Sequence, residues 1–233
     1  MITIYSLAYN EELLIQFMID HYKERFPSCK IIIYDHMSTD KTVEIAKLNN
    51  CEVRTFDTGG KIDDNKYIEI KNSCWKTATT DWVLVCDIDE LIDITEGQLK
   101  KEETIGTTII KTEGYNMINV ENNCDFYNMK NGVRQIKFDK SCLFNKKFIN
   151  NINYIHGCHE CRPIGIIKNS SISYKLYHYK YINIDWLIDK HKKYAERLSD
   201  INKKYKWGIE YLNNEKDIKN HFVCLQKNSV KVR

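Results

Sequence analysis

The segment Val83-Leu84-Val85-Cys86-Asp87-Ile88-Asp89-Glu90 runs an apolar stretch straight into a group of acids. Side chains alternate along an extended chain, so a D-x-D spacing puts Asp87 and Asp89 on the same side. Hard cations such as magnesium or manganese take carboxylate oxygens, usually one or two from the protein and the rest from phosphates and water. One carboxylate can then hold metal while the other orients a ribose or a metal-bound water. A solvated strand end or a helix cap is the other use for such acids. Two more polar groups bear on the choice: Ala8-Tyr9-Asn10-Glu11-Glu12 follows the apolar residues 2–7, and Asp35-His36-Met37-Ser38-Thr39-Asp40 follows residues 30–34. In an open parallel sheet all three groups would share the carboxyl edge, where ligands bind.

The elements needed for that placement are legible in the first third. Residues 2–7, 30–34, 51–56 and 82–86 read as strands alternating with helices, the pattern of a parallel sheet covered by helices. Residues 11–22 read as a helix through Leu13, Leu14, Phe17, Met18 and His21 at helical spacing, and Pro27 closes that unit. Ser38-Thr39-Asp40 offers N-cap chemistry to a helix over 43–48. Gly59-Gly60 opens a loop, and Tyr67, Ile70 and Cys74 share a helical face over 67–77. After Asp93 the periodicity is less regular. Residues 107–111, 140–144 and 171–179 read as strands, and the Asn-rich stretch 116–131 reads as a variable acceptor-side loop. A long helix is expected over 184–205, with Leu187, Tyr194, Leu198, Ile201 and Tyr205 as its apolar stripe. Lys190, Lys192, Lys193 and Arg197 lie opposite that stripe, as a solvated face or one resting on an anionic membrane.

At 233 residues the chain suits one domain with a sizeable core. Its 35 basic and 32 acidic side chains give a net +3, too balanced to point to nucleic acid. Nine cysteines, an odd number scattered through strand and helix patterns, read as reduced thiols of a cytoplasmic protein. No leader and no membrane-spanning run is expected from the sequence. His156, Cys158, His159 and Cys161 crowd four potential zinc ligands into six residues, too close to surround one ion tetrahedrally.

S-L-A-Y-N-E-E, then Y-D-H-M-S-T-D-K-T, then D-W-V-L-V-C-D-I-D-E resembles, in order and spacing, the nucleotide-sugar-binding half of glycosyltransferase family 2. The resemblance implies a single GT-A domain, an α/β Rossmann-like fold with a mostly parallel sheet, flanking helices and a C-terminal helix. Residues 1–95 would form the nucleotide-sugar half and 96–233 the acceptor half. It implies that Ala8, Tyr9, Asn10 and Glu11 line the nucleoside and that Asp35 accepts the N3 hydrogen of uracil. The Asp87-Ile88 step would lie near the ribose, and Asp89, with Asp87, would ligate manganese or magnesium. Lys71 occupies the place of a basic residue that precedes the D-x-D in relatives, where a leaving diphosphate needs a cation; a solvated helix lysine is the other reading. Gly157-Cys158-His159-Glu160 and the Leu176-Tyr177-His178-Tyr179-Lys180 strand resemble a subgroup containing transferases that build lipopolysaccharide cores. By that likeness Glu160, with His159 as rival or orienter, is the candidate general base, and His178 is either a metal ligand or a structural histidine.

The expected activity is therefore metal-dependent, inverting transfer from a UDP-sugar to a hydroxyl of a glycan, glycolipid or glycoprotein. A non-catalytic nucleotide-sugar-binding protein and a sugar-phosphate nucleotidyltransferase are the alternatives. The second of these needs a Gly- and base-rich loop after the first strand, and Leu7-Ala8-Tyr9-Asn10-Glu11 has neither.

Overall fold

The computed structural model describes residues 1–121 and 125–233. In chain order its strands are β1 (Ile2–Ala8), β2 (Lys30–Asp35), β3 (Glu52–Thr55), β4 (Trp82–Asp87), β5 (Glu90–Ile92), β6 (Ile109–Ile118), β7 (Asn131–Arg134), β8 (Leu143–Asn145), β9 (Ile149–Asn151), β10 (Ile164–Gly165), β11 (Asn169–Tyr181) and β12 (Val230–Lys231). The helices are α1 (Ile15–Arg25), α2 (Thr42–Leu48), α3 (Asp64–Ser73), α4 (Glu96–Thr104), α5 (Ile184–Arg197), α6 (Asp200–Tyr205) and α7 (Glu215–Asn228). The main sheet runs β12-β7-β6-β8-β4-β1-β2-β3, with β11 beside β6 and β5, while β9 and β10 pair separately. The β3-β2-β1-β4 part is parallel. This is the expected α/β architecture of a mostly parallel sheet flanked by helices.

The apolar runs are continuous because both faces of the parallel part are covered. Ile2, Ile4, Ile31, Ile33, Leu84 and Cys86 face α1, where Leu14, Ile15, Met18 and Ile19 meet them. Tyr5, Leu7, Ile32, Val83 and Val85 face the other way, onto Ile70, Cys74 and Trp75. Adjacent residues thus serve two cores.

Several boundaries differ from those expected. The first helix begins at Ile15, after a turn in which Leu13 stays 42% exposed. The 107–111 strand extends to Ile118. Part of the Asn-rich stretch, residues 122–124, lies outside the described residues; nearby, Phe126 and Tyr127 pack edge-on against Phe17, and β7 joins the sheet. The expected helix over 184–205 is two helices. Leu198 leaves helical geometry to bridge Ile62, and the Ser199 hydroxyl caps α6 by accepting from the Asn202 amide. Among the described residues no helix is long and apolar enough to cross a membrane.

Candidate active site

The ends of β1, β2 and β4 finish level, with Ala8 opposite Asp35 and Leu7 opposite Asp87. A cavity of about 470 Å³ opens against them, within the size range of small-molecule sites. The loops after β1 and β2 are laced together. Asn10 adopts a left-handed φ of 52°, which its short polar side chain tolerates. Its amide donates to the Ser38 hydroxyl at 2.9 Å and its side-chain oxygen accepts from the Thr39 amide at 2.8 Å, while the Glu11 amide donates to Thr42 Oγ1 at 2.7 Å. This lacing turns Tyr9 and Glu11 to the cavity.

One end of the cavity is aromatic. Tyr9, His36, Phe56, Tyr67 and Leu198 line it. His36 stacks on Phe56 at 4.6 Å, and its ring nitrogens meet Thr58 Oγ1 at 2.7 Å, the Tyr67 hydroxyl at 2.9 Å and Arg197 at 3.0 Å. Burial and the Arg197 charge push its pKa down to about 4, so it is neutral at neutral pH. The Arg197 guanidinium lies 3.1 Å over the Tyr9 ring. Asp35 is not part of this wall. It is 3% exposed, is not among the lining residues, and accepts from the Ser38 amide at 3.2 and 3.3 Å.

The other end is charged. Lys71 is 5% exposed, so it is no solvated helix lysine, and it meets both Asp87 oxygens at 2.7 and 2.8 Å. Burial opposes both charges. The pair overrides it, with Asp87 held below the usual carboxylate range and Lys71 well above the usual amine range. Ile88 is buried between the two acids of the D-x-D and contributes to the lining. The Tyr179 amide donates to the Asp89 carbonyl at 2.7 Å, which sets β11 so that His178 Nε2 is 3.6 Å from Asp89 Oδ2. Lys190 reaches the same oxygen at 3.4 Å and Glu11 at 3.0 Å. Burial alone would raise the Asp89 pKa, but Lys190 and His178 hold it well below the normal range. Glu11 moves the other way, pushed up to about 7 by burial against the pull of Lys190, with Asp89 adding to the rise.

A divalent cation fits this end. His178 Nδ1 lies 2.7 Å from Asn116 Oδ1 and the ring stacks on Phe138. With a cation bound and the proton kept on Nδ1, Nε2 would give its lone pair to the metal beside Asp89, the support pattern of a ligating histidine. Among the described residues no three His, Cys, Asp or Glu side chains gather as a metal group, so Asp89 and His178 would leave further positions to phosphate and water.

The third wall holds the buried Lys140–Glu90 pair, Phe138 and His159. His159 meets Phe138 edge-on at 5.1 Å, and its Nδ1 has no hydrogen-bond partner among the described residues. Burial and Lys140 push its pKa down to about 3. Glu160 is exposed and outside the lining. Asp93, a further carboxylate in the sequence, is bound to Arg25 at 2.7 Å and is also outside it. His156 stacks on Trp207 at 3.6 Å and bonds Asn65 at 3.0 Å, so it does not share a centre with Cys158, His159 and Cys161.

The sequence reading missed Lys190, Tyr194 and Arg197. All three sit on α5, four and seven residues apart; Tyr194 belongs to the expected apolar stripe, whereas Lys190 and Arg197 are turned inward where a solvated or membrane-facing stripe was expected. Their helical spacing was the available signal.

No family model matches the chain, and no curated protein matches it. Among solved structures it is similar to TarS from S. aureus (14% identity over 91% of this chain and 42% of that one, TM-score 0.46). It is also similar to the mannosyltransferase PcManGT from Pyrobaculum calidifontis, in complex with GDP-Man and Mn2+ (12% identity, 84% and 62% coverage, TM-score 0.46). A third is glucosyl-3-phosphoglycerate synthase from Mycobacterium tuberculosis, in complex with Mn2+, uridine diphosphate and glucosyl-3-phosphoglycerate (18% identity, 49% and 43% coverage, TM-score 0.35). The chain thus spans less than half the length of the first and third of these.

Proposed function

We propose that this chain transfers a sugar from a nucleotide-diphosphate donor to a hydroxyl acceptor, with a divalent cation held by Asp89 and His178. The observation that carries the reading is one cavity at the carboxyl edge of the parallel strands that joins an aromatic end to a charged end. In the charged end Asp87 and Asp89 meet Lys71, Lys190 and His178. Acids for a cation and ammonium groups for phosphates, side by side, match a metal-bound diphosphate.

When bound, the cation would neutralise charge on the departing diphosphate. Lys71 adds fixed positive charge where that charge grows. Asp87, kept anionic by Lys71, is the acceptor we assign to a ribose hydroxyl. UDP is kept as the favoured nucleotide on the sequence resemblance at Asp35 alone, because that carboxylate is 3% exposed and outside the cavity lining, accepting from the Ser38 amide. Transfer with inversion needs a proton acceptor on the acceptor side, and His159 takes that role in preference to Glu160. Its ring lines the cavity and is neutral. Lys140 disfavours the imidazolium, and a bound diphosphate, being negative, would raise its basicity again. The acceptor is a glycan, glycolipid or glycoprotein hydroxyl.

Calorimetric titration with UDP, GDP and dTDP, with and without manganese, followed by a donor-hydrolysis assay, tests this. UDP should bind more tightly with manganese, and Asp89→Asn should lose both the metal effect and hydrolysis while keeping its circular dichroism spectrum. Full activity in Asp89→Asn removes the metal assignment. Binding without turnover on any sugar leaves a non-catalytic nucleotide-sugar-binding protein.

A further inference from the structure

The buried ammonium of Lys190 has a place in the donor site that neither the carboxylate motif nor the helix pattern assigns. It converges with His178 on a single oxygen, Asp89 Oδ2, at 3.4 Å against 3.6 Å for the imidazole. It also bonds Glu11 at 3.0 Å, and its side chain is 12% exposed, with the ammonium above the rings of Trp186 and Tyr194. The position is built. Asn183 caps the start of α5, and at its far end the Arg197 carbonyl accepts from the Ile62 amide at 2.7 Å.

We propose that Lys190 competes with the divalent cation for Asp89 in the donor-free protein and turns to the diphosphate when the donor arrives. The proposal rests on the reading of the cavity as a metal–diphosphate site. A divalent cation approaching Asp89 and His178 without nucleotide meets a positive charge a few ångströms away, in a place poorly screened by water. Lys190 and the cation then share too little negative charge: among the described residues Glu11 and Asp89 are the acids in contact with Lys190, the nearby Asp87 is already paired with Lys71, and Lys180 adds a further positive charge beside Asp89. A diphosphate brings enough negative charge to satisfy both. Lys190 therefore makes metal binding depend on nucleotide, and by linkage makes nucleotide binding depend on metal to the same degree. It also adds a second cation, beside Lys71, where the leaving group's charge grows. A lysine that only stabilises the fold would have no such signature.

The test is a titration of manganese alone, of UDP alone, and of UDP with saturating manganese into the wild type, Lys190→Met and Lys190→Arg. Lys190→Met should bind manganese alone about tenfold or more tightly than wild type, and its coupling between metal and UDP should shrink by a similar factor. UDP with manganese should bind it more weakly. Lys190→Arg keeps the charge and should behave like wild type toward manganese alone. Melting temperatures with and without manganese cover a loss of stability in Lys190→Met, because a site freed for metal makes manganese raise its melting temperature more than that of wild type. Unchanged manganese affinity in Lys190→Met, with UDP and manganese still binding wild type synergistically, overturns the competition and leaves the proposed function standing. Tighter manganese binding in Lys190→Met, with no nucleotide binding to any form, upholds the competition and removes the nucleotide reading.

Discussion

His159 and Glu160 are neighbours in sequence with opposite surroundings, and the backbone before them is the reason. Gly157 and Cys158 both take left-handed φ values, 76° and 52°, so the chain turns sharply and delivers the imidazole to the cavity wall while the next carboxylate faces water. The Gly157 turn leaves little room, since a Cβ there would lie 3.0 Å from the His159 ring. If His159 is the proton acceptor, His159→Ala should lower acceptor-dependent turnover about 100-fold to 10,000-fold, with UDP affinity nearly unchanged. Glu160→Gln should stay near the parental rate. Steady-state kinetics on a true acceptor decides between them, because donor hydrolysis by water can bypass a positioned base. The reverse ranking returns the role to Glu160. Asp35 shows the same limit of reading by residue type: its position at the end of β2 was legible, but that His36 and not Asp35 lines the cavity goes with the stacking of His36 on Phe56, which no local pattern encodes.

At the scale of elements, β6 and the turn after β7 set the wall that supports His178. Gly114 on β6 sits against Phe138, where a Cβ would come within 2.3 Å of the Phe138 Cβ and 2.7 Å of its carbonyl carbon. Phe138 in turn stacks on His178 at 4.0 Å. Gly114→Ala should therefore destabilise the fold by about 1 to 3 kcal/mol and weaken manganese-dependent UDP binding, measured by urea unfolding and titration. Unchanged binding would mean that the wall does not position His178. β1, β2 and β4 of the parallel part were legible because each is apolar over most of its length and ends in a polar group, whereas the edge strand β3 carries Glu52 and Arg54 and is only partly buried. The later elements were less so. Short strands such as β5 and β7 owe their existence to partners distant in sequence, as when Glu90 pairs with His178 and Val133 with Asn116. α5 was found, but its inward face was misjudged. An amphipathic pattern treats lysine and arginine as outward residues, whereas Lys190 and Arg197 have acids and a tyrosine ring to meet inside.

Over the whole molecule, the titrating groups held away from their usual ranges set how stability responds to acid. Burial, the largest cause for each, pushes His21 and His159 down to about 3 and His36 and His191 down to about 4. In the unfolded chain the same histidines take up protons near pH 6.5. Between pH 6.5 and about 4 the unfolded state thus binds more protons than the native state, and stability falls as the pH falls. Glu11 opposes this. Its native pKa of about 7 lies above its unfolded value, so it adds stability as the pH drops from about 7 to 4.5; Asp64, raised by burial, acts in the same direction, but the four histidines outnumber the two acids. His21 is the cleanest probe because it lies outside the cavity, 5% exposed, with Nε2 2.9 Å from the Ile92 carbonyl. A shift of that size corresponds to on the order of 5 kcal/mol, a large share of the roughly 5 to 15 kcal/mol that holds a domain together. Urea unfolding at pH 7.5, 6.5, 5.5 and 4.5 should show a steady loss of stability below 6.5. His21→Gln can still donate a hydrogen bond to the Ile92 carbonyl and has no proton to gain, so its loss across the same range should be visibly shallower than that of wild type, even if it starts from a lower value at pH 7.5. Parallel curves for the two proteins would show that the histidine opposite Ile92 takes no part in acid sensitivity, and a flat wild-type curve would show that the native state accommodates these protons.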